Sequence, residues 1–403
     1  MTPLSARRAG AGAPGEVLLA FLALGLTCFG GPVAHIGYFR DAFVIRRRWL
    51  DEAAYADLVA LCQFLPGPAS SQVGFSIGLI RAGYLGGLAA WAGFTLPSAA
   101  ALVLFAYGAG ALGGAIGMGL LHGLKLVAVA IVAQAVWGMA RTLCPDRVRA
   151  SIALAATLII LASPSSAAQI AVILLGGIAG WRFCRAPAPE PAGQLPLPIS
   201  RRAGLAALTL FFLLLALLPA LRGFGAGFAL FNAFYRSGAL VFGGGHVVLP
   251  LLRAAMVTPG WVDDGAFLAG YGAAQAVPGP LFTFAAYLGA VARQPPGGLA
   301  GAALGLIGIF LPGLLVLTGT LPFWDGFRRR PGAQAMMRGV NAAVVGLLGA
   351  ALYDPVWTDS IRQPIDFGVA LTGFVLLVAW RAPPLAVVLL GACAGIGVAC
   401  LAP

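Results

Sequence analysis

The chain has 403 residues, 60% of them hydrophobic and only 9% charged, with a mean hydropathy of +0.93. A soluble domain carries roughly 25% charged residues, so a soluble enzyme and a disordered chain are both excluded. The net charge of +12 comes from 25 basic residues, all arginine except Lys125, against 13 acids; they sit mostly between apolar runs and read as cytoplasmic topology markers, not as a nucleic-acid surface.

Arg7 and Arg8 precede the first apolar run like the start of a signal peptide, but no convincing cleavage site follows, so the segment is read as retained. Apolar segments fall near 16–37, 54–80, 85–112, 116–141, 150–163 and 166–183. A further one covers 203–221. Then come 228–251, 265–291, 298–321, 335–353, 365–380 and 384–401. Runs of about 20 apolar residues mark membrane-spanning helices.

Gly30-Gly31-Pro32 interrupts the first segment. Glycine there permits positive φ and close backbone approach, or serves close helix packing. His35 follows and suits either an anion donor or proton carrier, or a buried structural role. The second segment is broken by Gln63-Phe64-Leu65-Pro66-Gly67-Pro68. Its pieces, Tyr55 to Leu65 and Ala69 to Ile80, are 11 and 12 residues long, each about half of a ~30 Å hydrocarbon core. Pro68 is placed to start the second piece, with Ser70, Ser71 and Gln72 in its first turn. Free N–H groups and the helix dipole make such an end an anion site; the plain alternative is a kink in a spanning helix. Arg81, beyond the hairpin, reads as an anchor.

Lys125 lies in the fourth segment, three residues after His122. An ionisable residue inside a membrane is functional by default, unless it snorkels to an interface. The six cysteines, Cys28, Cys62, Cys144, Cys184, Cys393 and Cys400, form no C-x-x-C pair and read as small packed residues. A proline-rich polar stretch from Arg185 to Arg202 reads as an extended linker.

The second half repeats the first. Gln275-Ala276-Val277-Pro278-Gly279-Pro280 stands 212 residues after the first copy, and Trp261, Asp263 and Asp264 stand 212 after Trp49, Asp51 and Glu52. Gly243-Gly244-Gly245 matches the first glycine break at offset 213, with His246 beside it; His35 itself would match Val248. Thr283 follows the second Pro-Gly-Pro, and Asn341 takes the place of Lys125 at offset 216. The expected division is residues 1–184 as the first repeat, 185–222 as a linker with an extra connecting helix, and 223–403 as the second repeat. Corresponding segments are seven apart, an odd number, so the second repeat should lie upside down. The loop with Arg40, Arg46, Arg47 and Arg48 falls in the cytoplasm only if the first two segments of each half are re-entrant hairpins, which is the preferred arrangement. The expected fold is therefore an all-α polytopic membrane protein with two inverted homologous halves and helices interrupted at the Gly-Gly and Pro-Gly-Pro breaks. Paired interruptions of this kind point to a transport site.

No acid lies securely in mid-segment, Asp57 and Asp354 being nearest, which argues against a carboxylate cation site. There is no P-loop and no H-E-x-x-H or G-x-S-x-G motif, and no cofactor or metal is expected.

The runs Phe29 to Arg40, Arg47 to Glu52, Leu58 to Gln72, Val241 to Pro250 and Ala274 to Pro280 resemble the chromate ion transporter family in its long bidomain form. The resemblance covers nearly the whole chain. It implies export of chromate from the bacterial cytoplasm across the inner membrane, with sulfate as a competing tetrahedral oxyanion. The expected partners are that oxyanion, membrane lipid and a second copy in a homodimer. The candidate ligands are the residues of the four breaks and their flanks: Gly30, Gly31, Pro32, His35, Gln63, Pro66, Gly67, Pro68, Ser70, Ser71 and Gln72, then Lys125, Gly243, Gly244, Gly245, His246, Gln275, Pro278, Gly279, Pro280, Thr283 and Asn341. The alternatives are a passive oxyanion channel or a sulfate-type permease. A membrane oxyanion reductase lacks any flavin, haem or paired-cysteine motif for electron delivery.

Overall fold

A computed structural model describes residues 12–29, 31–109, 114–163, 165–185, 199–242, 245–324 and 330–401. The described residues form helices and connecting turns, with no strand among them. Helix α1 (Pro14–Thr27) stops at Cys28, where ψ swings to 100°, and α2 (Gly31–Phe39) restarts from a glycine at φ 81°. α2 runs on through a wider π-type stretch, Arg40–Arg46. α3 (Glu52–Phe64) begins at Asp51, whose carboxylate accepts the Ala54 N–H at 2.7 Å. Such a cap satisfies one of the four N–H groups a helix start leaves without partners. α3 ends in extended backbone at Leu65, ahead of the first Pro-Gly-Pro.

α4 (Ala69–Ala109) folds back on itself. Ala82 and Gly83 leave helical geometry, and Gly83 sits at φ 65°. The two arms touch so closely that a Cβ on Gly78 would lie 2.3 Å from the Gly86 carbonyl oxygen. The first arm, 69–81, is half-length, whereas the second, 84–109, is long enough to span at about 1.5 Å per residue. Helix α3, with 13 residues, and the first arm of α4 match the two half-length pieces expected from the sequence, and α1, with 14 residues, is of similar length.

α5 (Gly114–Leu143), α6 (Arg147–Ala162) and α7 (Ser166–Phe183) follow on short loops, with Asp146 and Ser165 capping α6 and α7. In the exposed α5–α6 loop, the Arg149 backbone N–H and then its guanidinium hold the Asp146 carboxyl below the usual carboxylate range. α8 (Arg201–Leu221) is the extra apolar helix between the repeats. The second repeat contains α9 (Ala226–Ala239), α10 (Val248–Met256), α11 (Asp264–Ala274), α12 (Phe284–Ala290), α13 (Gly298–Thr320) and α14 (Pro331–Ala351). It closes with α15 (Pro364–Val378) and α16 (Pro384–Leu401). Asp263 caps α11 through the Ala266 N–H at 2.8 Å, repeating the Asp51 cap.

The repeats interlock. α5 packs along α16 of the other half, and α14, the repeat mate of α5, packs along α7. Small residues bring the backbones together: a Cβ on Gly123 would lie 2.2 Å from the Gly391 oxygen, and one on Gly339 would lie 2.0 Å from the Gly176 oxygen. Lipid tails are as apolar as leucine, so such contacts hold through dispersion and shape. Both pairs are antiparallel: Gly119 and Gly123 meet Gly395 and Gly391, while Gly339 and Ala343 meet Gly180 and Gly176. One apolar core joins Phe21, Phe39, Phe43 and Phe94 of the first repeat to Leu317 and Trp324 of the second; the other joins α5 to α10–α16.

Candidate functional site

The two Pro-Gly-Pro turns lie where the halves meet. Gly67 has φ 119° and Gly279 φ 105°, a region that L side chains rarely adopt. The Gly67 N–H donates to the Val241 carbonyl at 2.7 Å, and the Gly279 N–H donates to the Cys28 carbonyl at 2.8 Å. Val241 is the repeat mate of Cys28 at offset 213. Each turn thus caps the helix break of the opposite half. The breaks themselves meet, with a Cβ on Gly245 falling 3.1 Å from Pro32 Cγ. The turns also press on mated helices: Gly67 on Gly313 of α13, Gly279 on Ser98 of α4. Gly313 and Ser98 are again repeat mates, one residue after Pro312 and Pro97.

Hydrogen bonding divides the candidates. The N–H groups of Gly67 and Gly279 are spent on carbonyls, so the turn glycines do not offer them to a ligand. The Thr283 hydroxyl is likewise spent on the Pro280 carbonyl at 2.8 Å. After Pro280 the chain makes a tight 3₁₀ turn and then the seven-residue α12, so the second Pro-Gly-Pro does not open directly into an α-helix as the first does. The first repeat is different. Ala69, Ser70 and Ser71 open the first arm of α4 with N–H groups that have no intrahelical partner. Ser70, Ser71 and Gln72 are buried there, and Ser71 Oγ and Gln72 Oε1 make no hydrogen bond among the described residues. Gln72 Nε2 donates to the carbonyls of Pro66 and Gly313, both at 2.9 Å, and fixes the turn against α13. His35 is 1% exposed; its Nδ1 lies 3.4 Å from Ser70 Oγ and its ring edge meets Phe94 at 5.1 Å. His35 Nε2 makes no hydrogen bond among the described residues.

The other candidates lie apart. His246 Nδ1 is 2.6 Å from the Tyr271 hydroxyl. Gln63 is exposed, while Gln275 is half-buried with Nε2 unsatisfied among the described residues. Lys125 is not brought to the turns. Its Nζ points to the start of α11, 3.1 Å from where a Gly265 Cβ would lie and close to Asp263. A long flexible stem lets the ammonium leave the apolar interior for a carboxylate layer. Asn341, on α14, has a buried Oδ1 without a partner among the described residues. Gly30, Gly243 and Gly244 lie outside the described residues. Arg81 is the expected anchor: it pairs with Glu16 at 3.1 Å and stacks over Trp49 at 5.2 Å.

Sequence reasoning missed Thr95 and Ser98. Both are buried on the second arm of α4; Thr95 Oγ1 makes no hydrogen bond among the described residues, and Ser98 Oγ is the atom against Gly279. Their signal was the helical spacing Trp91, Thr95, Ser98, a polar stripe within an apolar run. Beyond the mated pairs Ser71 and Thr283, and Gln63 and Gln275, the polar groups are one-sided. Where the first repeat has Ser70, Gln72, Ser76 and Thr95, the second has Phe282, Phe284, Leu288 and Phe310.

The family model described as chromate transporter matches residues 15–181 and 228–396, one match per repeat. The chain belongs to the chromate transporter family. It is a transporter, not an enzyme, and a membrane protein built from two homologous halves. A chromate transport protein of Pseudomonas aeruginosa is 29% identical over 393 residues, covering 91% of this chain and 87% of its own. One of Cupriavidus metallidurans is 27% identical over 369 residues, with 89% and 86% covered. A probable chromate transport protein of Synechococcus elongatus is 28% identical over 337 residues, with 82% of each chain covered. No solved structure matches.

Proposed function

We propose that this family member is a secondary active transporter that exports chromate across the bacterial inner membrane, with sulfate as a competing oxyanion. The observation that carries the reading is the start of α4. Ala69, Ser70 and Ser71 bring N–H groups without intrahelical partners, Ser71 Oγ is buried and unspent among the described residues, and buried His35 stands against Ser70 through Nδ1, beside the breaks where both halves meet. A helix N-terminus attracts negative charge, and hydroxyl and imidazole donors suit a tetrahedral dianion. The similarity to chromate transport proteins of three bacteria supports the substrate class.

Repeat units at 1–184 and 223–403, joined by 185–222, are supported by the two matched stretches. Inverted topology is supported by packing. If α5, α6 and α7 cross in succession, α7 runs with α5; α14 is antiparallel to α7, so it opposes its own repeat mate. The half-length α1, α3 and first arm of α4 support re-entrant pieces meeting near mid-membrane, tolerable because their broken ends are buried in protein. The assembly that goes with this reading is a homodimer, checked by cross-linking in native membranes. Proteoliposomes test the function. Chromate should enter inside-out vesicles, sulfate should compete, and an imposed pH gradient should change the accumulated level. Flux at channel rates with no accumulation under any ion gradient would overturn the carrier reading.

A further inference from the structure

The start of α6, the end of α7 and the early turns of α14 enclose a cavity of about 610 Å³. Four arginines line it: Arg147 and Arg149 of α6, Arg185 just after α7, and Arg338 of α14. The one acid in the lining is Asp146, so its net charge is four minus one, or +3. Asp146 is already engaged. Its carboxylate accepts the Arg149 backbone N–H at 2.9 Å and the Arg149 guanidinium at 2.6 Å. Arg338 is half-buried, and the oxygens it donates to are neutral: the Cys184 carbonyl at 3.0 Å and Gln334 Oε1 at 3.4 Å. The repeat shows what this end lacks. The mate of Arg338 is His122 at offset 216, and His122 Nε2 stands 2.8 Å from Asp366, the third residue of α15. The third residue of α6, the mate of α15, is Arg149 at offset 217. Two arginines therefore stand where the other half sets a histidine on a carboxylate.

Like charges drawn from both halves around one space repel one another until an anion joins them, and the planar guanidinium fork matches the oxygens of a phosphate. The start of α6 adds the positive pole of its helix. We propose that this cavity is a binding site for a phosphate-type oxyanion, carried by the headgroup of an anionic phospholipid. The walls favour a lipid over a free ion. Phe183 and Val148 line the same space and are exposed, and the exposed Trp181 lies beneath Arg185, whose guanidinium sits 5.6 Å from its ring centre. Aromatic rings at the ends of spanning helices lie at headgroup level. A basic pocket between such helices, with apolar surface beside it, suits a phosphodiester with acyl chains attached.

The test is lipid binding by the full-length protein in a neutral detergent, read by native mass spectrometry. The probes are phosphatidylglycerol, phosphatidylcholine and inorganic phosphate. Wild type should bind phosphatidylglycerol about tenfold or more tightly than phosphatidylcholine. Arg147→Gln combined with Arg185→Gln should lose about tenfold or more of that affinity, whereas Arg147→Lys with Arg185→Lys should stay within about threefold of wild type. Both arginines are exposed, so their replacement leaves the packed helices intact. Size-exclusion profiles and melting temperatures without added lipid establish that each variant is folded. Arg201→Gln with Arg202→Gln removes the same charge from the exposed start of α8 and should also stay within about threefold of wild type. Inorganic phosphate at the lipid's concentration should not displace it; displacement would overturn the lipid source in favour of a free oxyanion. Unchanged phosphatidylglycerol affinity in the cavity Gln pair, or an equal loss in the α8 pair, would overturn the site itself. Chromate uptake by vesicles tests the transport reading separately.

Discussion

Gly67 and Gly279 carry two constraints each, a positive φ and a neighbour with no space to give. A Cβ would meet Gly313 Cα at 2.8 Å in the first turn and Ser98 Oγ at 2.9 Å in the second. Placing an L side chain at such φ costs about 1–2 kcal/mol before the clash is counted. Gly67→Leu or Gly279→Leu should therefore abolish chromate export while the protein still reaches the membrane, read by uptake beside quantitative immunoblotting. The smaller Gly279→Ala should be the milder pair member, because the Ser98 hydroxyl can rotate whereas the Gly313 backbone cannot. Equal activity of Gly67→Ala and wild type would reduce the turns to simple kinks. Lys125 gives the opposite expectation. Its ammonium lies among Asp263, Asp264, Asp359 and Arg362, so Lys125→Gln should leave chromate half-saturation within about twofold of wild type. A tenfold loss would return the lysine to the anion path. The glycines were legible because backbone demands leave a residue signature; the direction of the lysine was not, because a spacing in sequence does not say which way a long side chain points.

At the scale of helices, the half-length pieces were legible because prolines and glycines mark their ends. The caps by Asp51 and Asp263 at the starts of α3 and α11 came from the structure; in the sequence these acids served only as marks of the repeat. The exchange of partners between halves was not legible. Nothing local in α5 says that its small residues meet α16 and not α7, since both are apolar and glycine-bearing. The packing makes a paired prediction. Gly123→Val and Gly339→Val place a side chain where a Cβ already comes to 2.2 Å and 2.0 Å from a facing carbonyl oxygen. Both should lower the melting temperature of detergent-solubilised protein, by several degrees each, and by similar amounts because the positions are repeat mates. Gly138→Val, where nothing lies within 4 Å, is the control and should melt as wild type. A destabilised control with unaffected mates would refute the interlocked arrangement.

Across the whole molecule, reciprocity of contact fixes a two-fold relation between the halves but not whether that axis lies in the membrane plane. Turn to break, turn to helix and long helix to terminal helix are all exchanged in pairs. The proposed inversion rests on helix direction: α14 is antiparallel to α7, and α7 runs with α5 if the intervening helices all cross. Charge distribution agrees. The loop after α2 carries Arg46, Arg47 and Arg48, whereas the mated stretch near α10 keeps Arg253, which is bound to Asp264 at 2.8 Å. Positive loops stay in the cytoplasm, so the first should face inward and the second outward. Single cysteines introduced beside Arg47 and beside Val262, in a chain freed of its native cysteines, should react with a membrane-impermeant maleimide from opposite faces. The Arg47 site should label only in inside-out vesicles, and the Val262 site only in intact cells. Labelling of both from one face would mean that the axis stands along the membrane normal. The two halves would then be parallel, and the re-entrant arrangement proposed for their first segments would lose its support in the arginine distribution.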